Sequence, residues 1–220
     1  MSPLFTNVVD KLPPMCYTNS IGGIFMDISV SERTPRRPFT TKELTFTALM
    51  AVLIIICSWL SIPTGSVDFT LQTFAVFFSL SLLGGKNGTF SVLVYLLLGA
   101  VGLPVFAEFK GGIGALFGLT GGYILGFLLT ALVYWLAELI PVKNTVLRIV
   151  RNVAALLVGL ALCYLFGTLL FMHIYGLNGK SITFSAAISA CVLPYILFDL
   201  GKLAAAVFLA ERLRKHIKLK

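Results

Sequence analysis

Residues 192–210 read VLPYILFDLGKLAAAVFLA, and the reading of the fold turns on two of them. Asp199 and Lys202 stand one helical turn apart inside a run that is otherwise oily. On insertion scales each such side chain at the centre of a bilayer helix costs ~2.5–3.5 kcal/mol. Compensation has to come from the other charge, from a neighbouring helix or from a ligand. At i and i+3 the two share one helix face and can pair directly. The residues leave open whether that pair fastens helices together or forms part of a binding site. Intramembrane ionisable groups usually face a cavity, which favours the binding site. A carboxylate beside an ammonium accepts and donates hydrogen bonds within a few ångströms, which suits a small ligand with urea-like and carboxylate-like groups.

The composition around this stretch supports an apolar environment. Hydrophobic residues make up 58% of the 220 and charged residues 12%, with a mean hydropathy of +0.96, whereas soluble domains carry about 25% charged residues. The expected class is all-α: a polytopic membrane protein built as a six-transmembrane-helix bundle. Its apolar segments fall at about 44–62, 69–84, 89–103, 121–140, 152–175 and 183–210, the last kinked at Pro194. The second and third are short for a full crossing. Residues 1–40 read as a cytoplasmic N-terminal extension, and 41–220 as the six-helix transmembrane substrate-binding domain. The extension lacks the ordered charged, apolar and cleavage regions of a secretory signal, so targeting is expected to fall to the first span.

The net charge of +8 does not point to nucleic acid, because the basic residues cluster in tails and short loops without interleaved aromatics. Six spans with cytoplasmic termini put every Lys and Arg except Lys110, Lys180 and Lys202 on the inner side. That asymmetry predicts both termini inside. It leaves 104–120 external, between the third and fourth spans. This loop contains PVFAEFKGGIGALFGLT, too apolar for a solvated linker and too rich in glycine for a regular helix. Such a segment is expected to fold back over the bundle as a lid or pocket wall.

Other features carry weaker signals. Gly111, Gly112 and the later glycines allow backbone N–H groups to approach a ligand, or simply allow close packing. Phe106, Phe109, Phe117 and Tyr123 either anchor the interface or stack on a flat ring. Lys110 is a possible entrance cation or a solvated lysine. Thr47, Ala48 and Ala51 on the first span offer a small-residue face to which a partner helix can dock. Cys16, Cys57, Cys163 and Cys191 lack metal or redox spacing, and His173 and His216 lack a metal partner set; no metal is expected. No Walker A or dinucleotide fingerprint accompanies the glycines, so any ATP is hydrolysed elsewhere.

Several stretches together resemble the BioY family of bacterial biotin transporter subunits. They are LQTFAV, LLGGKNG, YLLLGAVGLPVF and the GxTGGY element at Gly118–Tyr123, all within 69–127. The late PYILFDLGK is similar to the family's Pro-Phe-x-x-Gly-Asp-x-x-Lys signature. The resemblance covers roughly 42–213. Leu119 stands where the family has proline, and Phe198 where it has glycine. The resemblance implies a six-helix S component of an energy-coupling-factor transporter in the cytoplasmic (inner) membrane of a bacterium. Such a subunit captures biotin from outside, has no cofactor, and works with a transmembrane scaffold subunit and two cytoplasmic ATPase subunits. It further implies ligand contacts at Asp199, Lys202, Tyr123 and Gln72, and maps the family's external loop onto 104–122, which here contains Phe106, Gly111 and Gly112 as candidate contacts. Lys110 stands where relatives often have a small or polar residue, and is a candidate contact for the carboxylate tail. The ureido ring is expected deep at Asp199 and Lys202, and the valerate near Lys110 and Tyr123. The competing expectations are an S component for riboflavin or thiamine, an intramembrane enzyme using Asp199 as base, and an assembly scaffold.

Overall fold

The computed structural model describes residues 40–62 and 68–216. The expected N-terminal extension, Thr40 apart, lies outside the described residues, as does the turn after the first span. Helix α1 (Thr41–Trp59) starts on a capping box, in which the Glu43 N–H donates to the Thr40 hydroxyl and the Thr40 N–H to the Glu43 carboxylate. This closes two of the backbone donors that a helix start leaves open. Strands β1 (Ser61–Ile62) and β2 (Phe69–Thr70) form a minimal antiparallel hairpin that the sequence did not signal. Helices α2 (Gln72–Leu83) and α3 (Gly85–Ala100) follow one another across Gly84, whose φ of 84° reverses the chain. The Gly85 N–H, at the start of α3, donates to the Glu138 carboxylate.

A 3-10 turn (Ala107–Phe109) and a four-residue helix α4 (Ile113–Leu116) occupy the glycine-rich connection. Helix α5 (Gly121–Glu138) leads to α6 (Thr145–Leu177). Next come a short α7 (Phe184–Cys191) and the final α8 (Leu193–Arg214). The glycine-rich connection is tied to its surroundings. Ser58 and Trp59 of α1 donate to the carbonyls of Val105 and Pro104, and the Gly112 N–H donates to Gly99 O at 2.7 Å.

Each of the six apolar segments contains helix, with two corrections. The last one is not a single kinked helix. The chain breaks at Val192 (φ −123°, ψ −54°), and Pro194 falls in the first turn of α8. Proline fits there because the N–H it lacks has no intrahelical acceptor. The fifth starts earlier than expected and gives a helix of 33 residues, ~50 Å at 1.5 Å per residue. Among the described residues four helices, α1, α5, α6 and α8, are long and apolar enough to cross a membrane. The 12-residue α2 and 16-residue α3 are shorter.

The core gathers Phe77, Tyr95, Tyr134 and Leu156 from α2, α3, α5 and α6. Small hydroxyls link the helices through backbone carbonyls: Ser91 donates to Thr47 O at 3.0 Å, Thr89 to Ala131 O at 3.1 Å and Thr130 to Gly159 O at 2.9 Å. In an apolar medium such bonds hold helices together where no hydrophobic driving force acts between them.

Candidate ligand site

Helix α8 presents Asp199 and Lys202 inward. Both are nearly buried, and their ion pair measures 2.9 Å from Lys202 Nζ to Asp199 Oδ1. Each has a second partner. The Tyr164 hydroxyl of α6 donates to Asp199 Oδ2 at 2.5 Å. Lys202 Nζ donates to the Thr70 carbonyl at 2.6 Å and lies 4.0 Å from the centre of the Phe69 ring. The hairpin thus holds the ammonium while α6 holds the carboxylate. A buried pair is tolerable when its geometry is good and further hydrogen bonds satisfy the remaining sites. An ionised carboxylate offers about four acceptor positions, so two of them remain for a ligand's N–H groups.

These groups line a chamber of ≈ 80 Å³ between α6 and α8, roofed by β2 and by Ala107 and Thr120 of the connection. Its walls are apolar and aromatic, with Tyr123, Phe127, Tyr164 and Tyr195 among them. Phe69 lies roughly parallel to Tyr195, with 6.2 Å between centroids and 17° between planes. A few convergent polar groups on an apolar wall is the usual build of a small-molecule site. A second cavity, of ≈ 540 Å³, shares Asp68, Ala107, Thr120 and Ile124 with the first and adds Phe106, Glu108 and Lys110. Burial pushes the Asp68 carboxyl above its ordinary range and the nearby Glu108 charge adds to this, while Lys110 opposes it. The Lys110 ammonium is held above its usual value chiefly by the Glu108 side chain, with which it pairs.

The structure brings together only part of the expected set. Asp199, Lys202 and Tyr123 line the chamber, although the Tyr123 hydroxyl is engaged with Thr168 of α6 at 3.1 Å. Lys110 and Phe106 line the second cavity. Gln72 lies outside both; it is buried and donates to the Tyr95 hydroxyl at 2.9 Å. Neither Gly111 nor Gly112 lines either cavity. A Cβ on Gly111 would come within 2.2 Å of the Leu103 carbonyl oxygen, so the residue serves close packing. Of the expected docking face, Thr47 and Ala51 are buried in the chain's own core, where the Thr47 carbonyl accepts from Ser91 of α3. Ala48 alone is exposed. Sequence reading missed Tyr164, Phe69, Thr70 and Asp68. A phenol hydroxyl in an apolar span was the available signal for Tyr164; the Thr70 contact is made by backbone and leaves none.

A helical protein with membrane-length apolar helices, whose buried polar pair faces an aromatic chamber, has the build of a membrane protein that binds a small polar molecule. The particular family follows from comparison with known proteins. The BioY family profile matches residues 30–219, and the chain belongs to the BioY family. It is 42% identical over 174 residues to the biotin transporter BioY of Thermotoga maritima, covering 79% of this chain and 96% of that protein. It is 37% identical over 173 residues to the probable biotin transporter BioY of Pyrococcus horikoshii, with the same coverages. Its fold matches the 2.1 Å crystal structure of the S-component for biotin from an ECF-type ABC transporter. That match has a TM-score of 0.66 and 30% identity, over 80% of this chain and 95% of that one.

Proposed function

We propose that this chain captures biotin in the membrane as the S component of an ECF-type transporter. The observation that carries the reading is the Asp199–Lys202 pair at the head of an aromatic chamber. Biotin carries a flat cyclic urea with two N–H donors and one carbonyl. Asp199 has two acceptor positions beyond those used by Lys202 and Tyr164. Lys202, which gives two of its three N–H groups to Asp199 and Thr70, has one donor left for the carbonyl, and Tyr123, Tyr195 and Phe69 supply apolar surface. The larger cavity beside Lys110 receives the valerate. Family membership and the named functions of the relatives support biotin over riboflavin or thiamine, and a carrier over an enzyme.

The finer picture is six spans, with α2 and α3 completing their crossings through adjoining loops, both termini cytoplasmic and the 104–120 connection external. The asymmetric distribution of Lys and Arg supports it. Residues 1–40 are a cytoplasmic extension of the 41–220 binding domain, in the inner membrane of a bacterium. Uptake is energised by two cytoplasmic ATPase subunits through a transmembrane scaffold, to which the α1 face around Ala48 docks. Isothermal titration of purified protein with biotin, riboflavin and thiamine tests the core claim. Biotin alone is expected to bind, and Asp199→Ala to abolish that binding. Wild-type biotin affinity in Asp199→Ala would remove the residue from the site.

A further inference from the structure

The seam between α6 and α8 opens a second time, toward the end of α8 remote from Asp199. There an apolar groove of ≈ 470 Å³ runs between Val153 of α6 and Leu203, Val207 and Phe208 of α8. Three charged side chains of α8 border it: Glu211, Arg212 and Lys215. Glu211 is already committed, since Arg148 donates to it at 3.1 Å and Arg214 pairs with it at 3.8 Å. Arg212 lies with its guanidinium 5.3 Å from the centre of the Phe208 ring. Among the described residues neither Arg212 nor Lys215 has a carboxylate partner, and both are exposed. An oily trough therefore ends at two exposed cations without a carboxylate partner among the described residues.

Its length is also informative. Leu203 to Lys215 spans ~18 Å of helix at 1.5 Å per residue, slightly more than the ~15 Å depth of one leaflet's hydrocarbon. With Leu203 toward mid-bilayer, Arg212 and Lys215 stand at headgroup level. A ligand that fits is long and apolar for one leaflet's depth and anionic at the end. We propose that this groove is a binding site for an anionic glycerophospholipid of the leaflet that contains the α8 C-terminus. One acyl chain lies along Val153, Leu203 and Val207, and the phosphate sits between Arg212 and Lys215. Basic pockets between membrane helices recognise anionic headgroups in this way. The site is separate from the vitamin chamber, whose lining it does not share.

The test uses the full chain, delipidated in mild detergent and titrated with phosphatidylglycerol or phosphatidylcholine of matched acyl chains. Retained lipid is counted by native mass spectrometry, and Tm is read in parallel. Phosphatidylglycerol is expected to be retained at least fivefold over phosphatidylcholine and to raise Tm more. Arg212→Gln combined with Lys215→Gln equalises the two lipids. Ala204→Phe fills the groove, whose wall includes Ala204, and removes retention with both cations in place. Lys143→Gln, exposed and outside the groove, keeps the preference. Biotin binding stays at wild-type level in all of them, which shows that they are folded. The proposal is overturned if wild type does not discriminate the lipids, or if its preference survives both the double variant and Ala204→Phe. It is equally overturned if those variants keep their lipid but lose co-purification with the membrane scaffold, because the groove then seats a protein helix.

Discussion

Helix α6 meets its two long neighbours in opposite ways. Against α5 the backbones approach closely at two glycines. A Cβ on Gly126 would lie 3.0 Å from the Cys163 Cα, and one on Gly159 would lie 2.9 Å from the Thr130 Cα. Against α8 the seam holds the chamber headed by Asp199 and Lys202 at one end and the apolar groove at the other. There the helices are joined by the Tyr164–Asp199 hydrogen bond and the Arg148–Glu211 ion pair. Glycine lets backbones approach until dispersion holds them, as small residues do between helices in lipid. Directional polar contacts, by contrast, hold two helices at a distance and leave a cavity that a guest can fill. One face of α6 therefore packs tightly on α5, and the other presents Tyr164 to the chamber.

Breaking the tight seam should have the largest effect. Gly159→Leu drives a side chain into the Thr130 backbone, and overpacking of this kind costs about 1–3 kcal/mol or more. The expected outcome is a lowered Tm and aggregation on size exclusion; a variant as stable as wild type would mean that the seam is not close-packed. The loose seam should fail in function instead of stability. Replacing a buried ion pair by apolar residues of similar volume is often neutral or stabilising. Asp199→Leu/Lys202→Leu is therefore expected to keep or raise Tm while biotin binding disappears, and retained binding would make the pair purely structural.

Tyr164→Phe sharpens the comparison further. It removes one hydrogen bond to the Asp199 carboxylate, a kind of bond worth ~1.5–3 kcal/mol, so Tm should fall modestly, and biotin affinity by titration calorimetry should fall about tenfold as Asp199 loses a group that orients it. The smallest effect concerns Asp68 at the junction of the two cavities. Its raised carboxyl pKa, caused first by burial and then by Glu108, favours the neutral form in the folded protein. That stability is present below the ordinary aspartate pKa and is lost as pH rises through the raised value. Asp68→Asn should thus have a slightly higher Tm than wild type at neutral pH, with the two converging as pH falls. A variant less stable than wild type at neutral pH would contradict the assignment.

Much of the site was legible in sequence because its chemistry is expensive. Two charges in an apolar run, at a spacing that puts them on one helix face, announce a pair wherever the chain folds. The same logic located the helices, since apolar runs bounded by Gly and Pro leave little choice in a bilayer. Other parts carried no such signal. The Thr70 carbonyl that holds Lys202 belongs to a backbone every residue shares. Tyr164 lies 35 positions from Asp199, and nothing in either segment states that they meet. Gln72 reads as a ligand residue by resemblance, yet the fold buries it against Tyr95 outside the chamber. Thr47 and Ala51 read as a docking face, yet the fold buries both in its own core, with the Thr47 carbonyl bonded to Ser91 of α3.

The amino-acid order by itself determined a helical membrane protein, its apolar segments, and a charged pair on one face of the last helix. Those properties follow from solvation energies and helical periodicity, which are local. Tertiary structure alone decided which groups complete that pair's hydrogen bonds and which seam stays open. It also decided which small residues face inward, because each of these depends on distances between segments remote in the chain.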